Sequence, residues 1–479
     1  MDKTTYRVNP YLLFTKLQDN MYLVVNVLDK TCIKCDKELF DVLRNRDVSK
    51  IPEDIQRVLY ENKILIPKNI GDIEYLESKI YRNSNNNNKI TNNVILTKFE
   101  FIVTWQCNFS CSYCFENKDK TSLWGGLTTK HVDKAFEFID QYSTHNFPLH
   151  IGLMGGEPLL PSYKQVVSKI FKNVQERNGK ITIITNGSTI DKYLDLISKY
   201  NDYIERIQVT LDGTRDVHDK RRPFKGGIGS FDKIVSNIDS LLRIGFKKVR
   251  IVMNVDHENL DDVPNFIQFL EQKGWLGNFN ILITTVESYG NIRAEKFNHY
   301  KTSRERIIKK LFEYFYEHPE LLRYIHVDDN RGSMRVLYSL IIEGKIPNPT
   351  LYHCAGIAGI GGSFSPDGKV YPCAAFAEGQ LYPIGEYYPK QKLYAKQLSA
   401  LRKRNTLNLR KCYSCNLLPI CAGGCPIMGL SYEEYQRLKI GKCNLLECTT
   451  CLGKEIILEE GVLYYNFKQK LKEERRIQE

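Results

Sequence analysis

The chain has 479 residues, of which 42% are hydrophobic, and its 68 Lys and Arg outnumber its 56 Asp and Glu to give a net charge of +12. This length allows about three domains, and because the basic residues are spread among acidic ones, no nucleic-acid partner is expected. No apolar run approaches the roughly 18 residues of a membrane span and the N-terminus lacks the basic-then-apolar order of a secretory signal, so we expect a cytoplasmic protein with no membrane partner.

Residues 1–81 are predicted to form a small α+β unit. The alternating pattern YLLFTKLQDNMYLVVNVL predicts a hairpin, and KELFDVLRN and EDIQRVLYEN predict two helices before the short strand KILIP. Cys32 and Cys35 lie between a strand and a helix without further metal-type residues, so both are predicted to be small, buried apolar side chains. Residues 82–96 are polar, Asn-rich and without period, and are predicted to be a linker.

Residues 97–300 are predicted to form the body of an α/β protein. Six short apolar strands alternate there with amphipathic helices: FEFIVTW, HIGLMGG, ITIITNG, RIQVTLDG, VRIVMNV and NILITTV. This order is typical of parallel β/α units in a full or partial barrel, whose functional groups lie at the carboxyl ends of the strands. Residues 301–350 are predicted to be a helical connection, 351–455 a cysteine-rich domain held together by metals, and 456–479 a helical tail.

The 14 cysteines favour metal binding over disulfides, because a chain without an export signal is expected where thiols stay reduced. Cys107, Cys111 and Cys114 share one loop after the first barrel strand. Three thiolates leave one iron of a four-iron cluster without a protein ligand, which suits the activation of a bound molecule. On the cysteines alone, a zinc site or an oxidation-sensing loop is the alternative.

The spacing C-x3-C-x2-C, with the aromatic Tyr113 before its last cysteine, resembles the signature of the radical SAM superfamily. The resemblance implies a partial (β/α)6 TIM-like barrel and a 4Fe-4S cluster on Cys107, Cys111 and Cys114 as catalytic centre. It also implies that S-adenosylmethionine (SAM) binds the open iron and is cleaved reductively to a 5′-deoxyadenosyl radical, which takes hydrogen from the substrate. The implied electron donor is a flavodoxin- or ferredoxin-type reductant.

Two further motifs stand where this superfamily has its SAM-binding residues. Gly155, Gly156 and Glu157 in MGGEP resemble the GGE motif, so Gly156 is expected to allow close approach and Glu157 to accept from the SAM amine. In isolation the same residues describe a tight turn. By the same resemblance, Thr210 in TLDG contacts the SAM ribose or carboxylate and Arg222 grips the carboxylate. His131, His150 and His218 stand singly and are predicted to be surface or packing residues.

A second group of cysteines has the spacing C-x2-C-x5-C-x3-C, which is tighter than that of an ordinary zinc ribbon, so zinc is the second choice here. With its neighbours it resembles the SPASM extension of radical SAM enzymes, which carries two auxiliary 4Fe-4S clusters. The implied ligands of one cluster are Cys412, Cys415, Cys421 and Cys443. The implied ligands of the other are Cys354, Cys373 and Cys425. Either Cys448 or Cys451 completes this second set, or one iron stays open to a substrate thiolate.

The order of the N-terminal elements resembles the small winged-helix peptide-recognition domains that precede many maturases of ribosomally made peptides. Such a domain holds the leader of a precursor peptide as an added strand. Together the resemblances imply a maturase that forms thioether crosslinks in a cysteine-rich peptide. One alternative is an anaerobic sulfatase-maturating enzyme, which makes formylglycine and generally begins near the cluster motif, whereas 106 residues precede Cys107 here. The other is a non-catalytic iron–sulfur redox carrier or sensor, which has no use for GGE and TLDG.

Overall fold

The computed structural model describes most of the chain from residue 5 to residue 427. The described ranges are 5–16, 21–84, 96–114, 125–143, 148–286, parts of 307–328, 348–427 and residues 433, 436 and 437. The predicted ligands Cys443, Cys448 and Cys451 and the predicted helical tail lie outside the described residues. No helix among the described residues has the length and hydropathy that crossing a bilayer requires.

The N-terminal unit contains the predicted hairpin, two predicted helices and short strand, together with elements that were not predicted. Its strands are β1 (Tyr6–Val8), β2 (Leu12–Lys16), β3 (Tyr22–Asn26), β4 (Thr31–Cys35) and β5 (Leu65–Pro67). Its helices are α1 (Lys37–Arg44), α2 (Glu53–Glu61) and α3 (Asp72–Ser84). Strands β2, β3 and β4 form an antiparallel sheet with β4 at an edge, and β1 pairs with β5. Helix α3 was not predicted and extends into the first residues of the predicted linker. Cys35 is buried as predicted, whereas the prediction for Cys32 is wrong: it is exposed, because side chains alternate between the two faces of β4.

The two faces of the β2–β3–β4 sheet pack against two different hydrophobic cores. Val24 and Leu12 on one face pack with Phe40 of α1 in a small core of the N-terminal unit. Leu13 and Val25, which alternate with them along the strands, belong instead to the main core of the protein. The N-terminal unit is therefore packed into the rest of the described protein through one face of its sheet.

The six predicted barrel strands are all present and run parallel, so this prediction is confirmed. They are β6 (Lys98–Thr104), β7 (His150–Gly155), β8 (Lys180–Thr185), β9 (Ile204–Thr210), β10 (Val249–Val255) and β11 (Asn280–Thr285). A further parallel strand, β12 (Ile325–Asp328), pairs with β11 inside the segment predicted to be helical. The connecting helices are α4 (Thr129–Tyr142), α5 (Lys164–Glu176), α6 (Leu194–Lys199), α7 (Arg215–Arg221), α8 (Phe231–Arg243) and α9 (Val263–Gln272).

The cysteine-rich region continues the same sheet on the other side of β6. Its strands are β13 (Gly361–Phe364), β14 (Lys369–Tyr371), β15 (Gly385–Glu386) and β16 (Lys392–Leu393). Its short helices are α10 (Ala355–Ala358), α11 (Ala374–Gly379), α12 (Ala395–Arg402) and α13 (Leu418–Cys421). Strand β13 pairs in parallel with β6, and Phe364 lies 5.0 Å from Phe101 between ring centroids. Strand β6, which leads to the cysteine triplet, is thus held on both edges.

Candidate functional site

The cysteine triplet lies on the loop that follows β6, at the carboxyl edge of the parallel sheet. Cys107 and Cys111 are partly buried and Cys114 is exposed. The backbone amide of Ser110 donates to the carbonyl oxygen of Pro223 at 2.9 Å, and that of Ser112 donates to the carbonyl oxygen of Arg221 at 3.2 Å. The three cysteines therefore lie on one loop, which backbone hydrogen bonds attach to the end of α7 and the residues that follow it.

The segment RRPFK supports the cysteine loop through backbone and ring contacts. The amide of Lys225 donates to the carbonyl oxygen of Asn108 at 2.8 Å. The rings of Phe109 and Phe224 meet edge to face with centroids 4.9 Å apart, a preferred aromatic geometry. These contacts explain why a segment that is more than a hundred residues away in sequence fixes the position of the cysteines.

Tyr113, between the last two cysteines, is the centre of a polar network. Its hydroxyl donates to the Asp212 carboxylate, and it accepts from Arg222 and, at 3.2 Å, from the Asn254 side chain. The Arg221 guanidinium lies 4.9 Å from the centre of the ring. Burial raises the pKa of the Tyr113 hydroxyl well above its ordinary value, although Arg222 opposes this shift, so the hydroxyl stays protonated and remains a donor.

Arg222 and Arg221 differ in the partners they have. Arg221 donates to both oxygens of the buried Asp256 carboxylate, at 2.7 and 3.0 Å, which is a bidentate structural pair. Arg222 donates to the Tyr113 hydroxyl and lies 3.7 Å from Asp212. The Nε atoms of both guanidinium groups are buried and have no hydrogen-bond partner in the described part of the chain. The contact of Arg222 with the SAM carboxylate stays a prediction.

The two glycines of MGGEP are required by the protein's own backbone. A Cβ atom on Gly156 would lie 2.2 Å from the carbonyl oxygen of Gln106, the residue before Cys107. Gly155 has a φ of +131°, which side chains of L-residues rarely adopt. The amide of Glu157 donates to that same Gln106 oxygen at 2.8 Å. The close approach expected at Gly156 thus exists, and it is made to the strand-to-loop connection that leads to the cysteines.

The Glu157 carboxylate already has three donors within the protein. It accepts from the amides of Leu159 and Asn186 at 2.8 and 2.7 Å and from the Thr185 hydroxyl at 2.7 Å, and Glu157 is fully buried. Burial raises the pKa of Glu157, and these hydrogen bonds oppose the shift. The observed contacts make Glu157 a link between the ends of β7 and β8, while its contact with a SAM amine stays a prediction.

Further strand-end residues complete the site, and sequence reasoning did not single them out. The Asn186 side chain, after β8, approaches the sulfur of Cys107 at 3.8 Å and donates to Asn108 at 2.8 Å. Asp212 and Asn254 join the Tyr113 network from β9 and β10, next to the predicted Thr210, which is buried at the end of β9. Their position at the carboxyl ends of parallel strands was the signal available in the sequence.

Residues 101–270 match the Radical SAM superfamily. This chain contains a radical SAM domain. It is similar to a cysteine-type anaerobic sulfatase-maturating enzyme of Clostridium novyi, with 26% identity over 67% of this chain and 84% of that protein. It is also similar to the radical SAM cyclopropyl synthase TigE of Paramaledivibacter caminithermalis, with 23% identity over 95% of this chain and 92% of that protein.

A solved structure shares the fold of this radical SAM enzyme. Native anSMEcpe with bound AdoMet superposes with a TM-score of 0.57 at 17% identity, over 78% of this chain and 100% of that chain. In radical SAM enzymes a 4Fe-4S cluster binds SAM and supplies the electron that cleaves it. The match to the Radical SAM superfamily and the similarity to a maturating enzyme and a synthase support an enzyme over the redox carrier or sensor considered from the sequence.

The residue types of the triplet are suited to such a cluster, while its position on these three cysteines stays a prediction. Three thiols without a neighbouring imidazole in the motif form a donor set for iron and sulfide. Among the described residues, no three His, Cys, Asp or Glu side chains converge on a point that a single metal ion would occupy. A four-iron cluster needs a wider arrangement, because each thiolate binds a different iron.

The described cysteines that are predicted to hold the auxiliary clusters lie on two segments that contact each other. The amide of Thr350 donates to the carbonyl oxygen of Pro419 at 2.7 Å, and the His353 ring lies 3.1 Å from the carbonyl oxygen of Cys421. These contacts join the chain before Cys354 to the chain between the paired cysteines. Burial raises the pKa of the Cys373 thiol. The thiol therefore loses its proton only where a metal ion or another cation stabilises the thiolate.

Glu100 is a partly buried acid near Cys354 and Cys373 that the sequence did not single out. Its carboxylate accepts from the Ser363 hydroxyl of β13 at 2.5 Å. Burial raises the pKa of Glu100, and the Ser363 hydrogen bond opposes the shift. Because Glu100 lies on β6, it connects the strand before the cysteine triplet to the cysteine-rich region.

Proposed function

We propose that this radical SAM enzyme modifies a ribosomally made, cysteine-rich precursor peptide and forms thioether crosslinks in it. The observation that carries the proposal is the N-terminal unit, which precedes the barrel and is packed into the protein through Leu13 and Val25. The likeness to a cyclopropyl synthase extends over 95% of this chain, whereas the likeness to a sulfatase-maturating enzyme extends over 67%.

The leader of the precursor peptide binds, in this proposal, to the edge of the N-terminal sheet. Strand β4 lies at that edge, so its outward amides and carbonyls are suited to an added strand. The same sheet contacts the cysteine-rich region, because the Asn416 side chain donates to the carbonyl oxygen of Leu12 at 2.8 Å. A leader on β4 therefore lies on a unit that is fixed to the rest of the enzyme.

The chemistry of a thioether explains why additional clusters are useful. A hydrogen atom leaves a substrate carbon for the adenosyl radical, a proton leaves the peptide thiol, and the carbon–sulfur bond forms. One electron remains and needs an acceptor. The auxiliary clusters that we propose on the second cysteine group accept it, and a flavodoxin- or ferredoxin-type partner supplies the electron for SAM cleavage.

The test is incubation of reconstituted enzyme, SAM and a flavodoxin with a synthetic cysteine-rich precursor peptide, chosen from the short reading frames that flank the gene. The expected product has lost two hydrogen atoms per crosslink and one alkylatable thiol per crosslink. A carbon–carbon ring would lose the same mass and keep every thiol. An unchanged peptide in a reaction that still forms 5′-deoxyadenosine would contradict peptide maturation.

The leader proposal is tested with proline at Cys32 and, separately, at Ile33 on β4. Successive amides of a strand point to opposite sides, so one of these two prolines removes an amide that faces away from β3. That variant is expected to keep its melting temperature and its SAM cleavage but to lose binding of a fluorescent leader peptide. If every folded variant binds the leader as the wild type does, the edge is not the leader site.

Sulfatase maturation is the second candidate, and the 26% identity to a cysteine-type sulfatase-maturating enzyme favours it. In that reaction a cysteine or serine of the target becomes formylglycine. A cysteine-containing sulfatase peptide would then gain an aldehyde that reacts with a hydrazine probe. An aldehyde on this peptide and no change in the precursor peptide would favour this candidate over thioether formation.

A further inference from the structure

Arg404 is a buried cation between the two auxiliary cysteine segments. It is 1% exposed, and its Nη2 donates to the carbonyl oxygens of Gly423 and Gly424 at 2.7 and 3.2 Å. These two glycines lie between Cys421 and Cys425, so the guanidinium is attached to the turn that joins two predicted ligands.

The chain next to Arg404 is also attached to the segment before Cys354. The Thr406 amide and hydroxyl donate to the carbonyl oxygens of Leu351 and Thr350 at 2.9 and 2.7 Å. Arg404 therefore stands where the segment of one proposed cluster meets the segment of the other.

The guanidinium has more donors than the described protein uses. Its Nε and Nη1 are buried and have no hydrogen-bond partner among the described residues. A buried donor without a partner costs about 1–3 kcal/mol, so such a donor suggests a partner of another kind. Burial lowers the pKa of Arg404, and negative charge on thiolates from both segments opposes the shift: Cys425, Cys412, Cys421 and Cys354.

We propose that Arg404 is a positioning residue shared by the two auxiliary clusters, whose positive charge offsets the thiolates of both segments and raises the clusters' reduction potentials. The proposal rests on the auxiliary clusters of the proposed function. The physical reason is that a reduced cluster carries one more negative charge than an oxidised one. A fixed cation with free N–H groups therefore stabilises the reduced form.

A purely structural role for Arg404 makes a different prediction. If the guanidinium only holds the carbonyl groups of Gly423 and Gly424, its replacement changes stability but leaves the potential of any assembled cluster unchanged. Arg404→Gln removes the charge and Arg404→Lys keeps it without the planar fork. Lys403→Gln removes the charge of the neighbouring exposed residue and is the matched control.

The experiment measures iron, sulfide and midpoint potentials, followed by electron paramagnetic resonance, in anaerobically reconstituted full-length protein. In Arg404→Gln the auxiliary potentials are expected to fall, with a tenfold change in the reduction equilibrium corresponding to about 59 mV for one electron. The potential of the cluster on Cys107, Cys111 and Cys114 and all potentials of Lys403→Gln are expected to stay unchanged. Fully loaded Arg404→Gln with wild-type potentials would overturn the proposal.

Loss of clusters in Arg404→Gln is also decisive. If this variant is folded by circular dichroism but lacks the auxiliary iron, Arg404→Lys is expected to regain it, because the charge is restored. Auxiliary iron missing from both folded variants would refute a role for the charge. If the wild-type protein binds iron for one cluster only, the auxiliary clusters of the proposed function are refuted. This outcome distinguishes a failure of the proposed function from a failure of the Arg404 proposal.

Discussion

The Tyr113 hydroxyl connects the cysteine loop to the ends of two strands. It joins the buried Asp212 carboxylate to Arg222 and Asn254, so it bridges groups of opposite charge inside the protein. Removal of this hydroxyl is expected to destabilise the protein. The buried charged groups would lose a hydrogen bond and would still be excluded from water.

We predict that Tyr113→Phe lowers the free energy of unfolding by about 1–3 kcal/mol and weakens SAM binding. The ring and its contact with Arg221 are kept, so the change isolates the hydroxyl. Chemical denaturation and equilibrium binding of SAM measure the two effects. The control is Tyr324→Phe, because Tyr324 is 45% exposed. Equal behaviour of the two variants would show that the network does not hold the loop.

His218 gives the protein a predictable response to acid. It is fully buried, its Nδ1 accepts from the Asp212 amide at 3.1 Å, and its other nitrogen lies 3.0 Å from the Ser230 hydroxyl. Burial, followed by the charges of Arg222 and Arg221, lowers the pKa of His218 well below its ordinary value. The sequence predicted a surface or packing role for this histidine, and these contacts make it a packing residue in the interior.

The sign of the acid effect follows from proton linkage. Below about pH 6.5 the unfolded chain binds a proton at this histidine that the folded protein excludes, so stability falls as the pH falls toward the lowered pKa of the folded state. The expected slope is about 1.4 kcal/mol per pH unit in that window, and no slope from this group is expected above it. Denaturation from pH 7.5 to 5 compares the wild type with His218→Gln, and identical slopes would contradict the assignment.

Local spacing made the cysteine triplet and Tyr113 predictable, because all of these residues lie within eight positions. Asp212, Asn254 and Arg404 were not predictable in the same way. Their contacts join segments that are distant in sequence, and an isolated Asp, Asn or Arg has no spacing that marks it. Glu157 was predictable only in part. The motif identified the residue, but it did not predict the three donors that surround its carboxylate.

At the scale of elements, the connection between β7 and the cysteine loop depends on close backbone approach. We predict that Gly156→Ala costs about 1–3 kcal/mol of stability, because its Cβ would lie 2.2 Å from the Gln106 carbonyl oxygen and backbone must move. Gly71→Ala is the control, since nothing lies within 4 Å of a Cβ there. Thermal unfolding and iron content measure the effect, and a Gly156→Ala protein with wild-type iron and stability would contradict this account.

The six barrel strands were predictable because each combines a short apolar run with a helical pattern after it. Strands β12 and β13 were not. The first is four residues long in a charged segment, and the second is GGSF, whose glycines carry no hydrophobic signal. Pairing with an existing sheet edge, rather than local propensity, forms such strands.

At the scale of the whole molecule, the barrel and the cysteine-rich region share one sheet, and the N-terminal unit shares the main core. The sequence suggested separate units because composition changes sharply between them. It did not show that β13 continues the barrel sheet, since parallel pairing between distant segments leaves no local pattern. Changes at the two cysteine groups are therefore best made as single substitutions that keep the packing.

We predict that Cys107→Ala abolishes 5′-deoxyadenosine formation, whereas Cys415→Ala retains part of it. The first change removes a predicted ligand of the cluster that binds SAM, and the second removes a predicted ligand of a proposed auxiliary cluster at the other cysteine group. Chromatography of the reaction products measures both rates. Equal and complete loss in a folded Cys415→Ala protein would contradict separate roles for the two groups.

The central claim is that Cys107, Cys111 and Cys114 hold a four-iron cluster with one iron open to SAM. The most direct measurement is iron and sulfide analysis of anaerobically prepared protein, with electron paramagnetic resonance of the reduced protein before and after SAM is added. We predict iron and inorganic sulfide at the triplet and a cluster signal that changes with SAM in the wild type but not in Cys107→Ala. Zinc without sulfide at the triplet, or a cluster signal that SAM leaves unchanged, would contradict the claim.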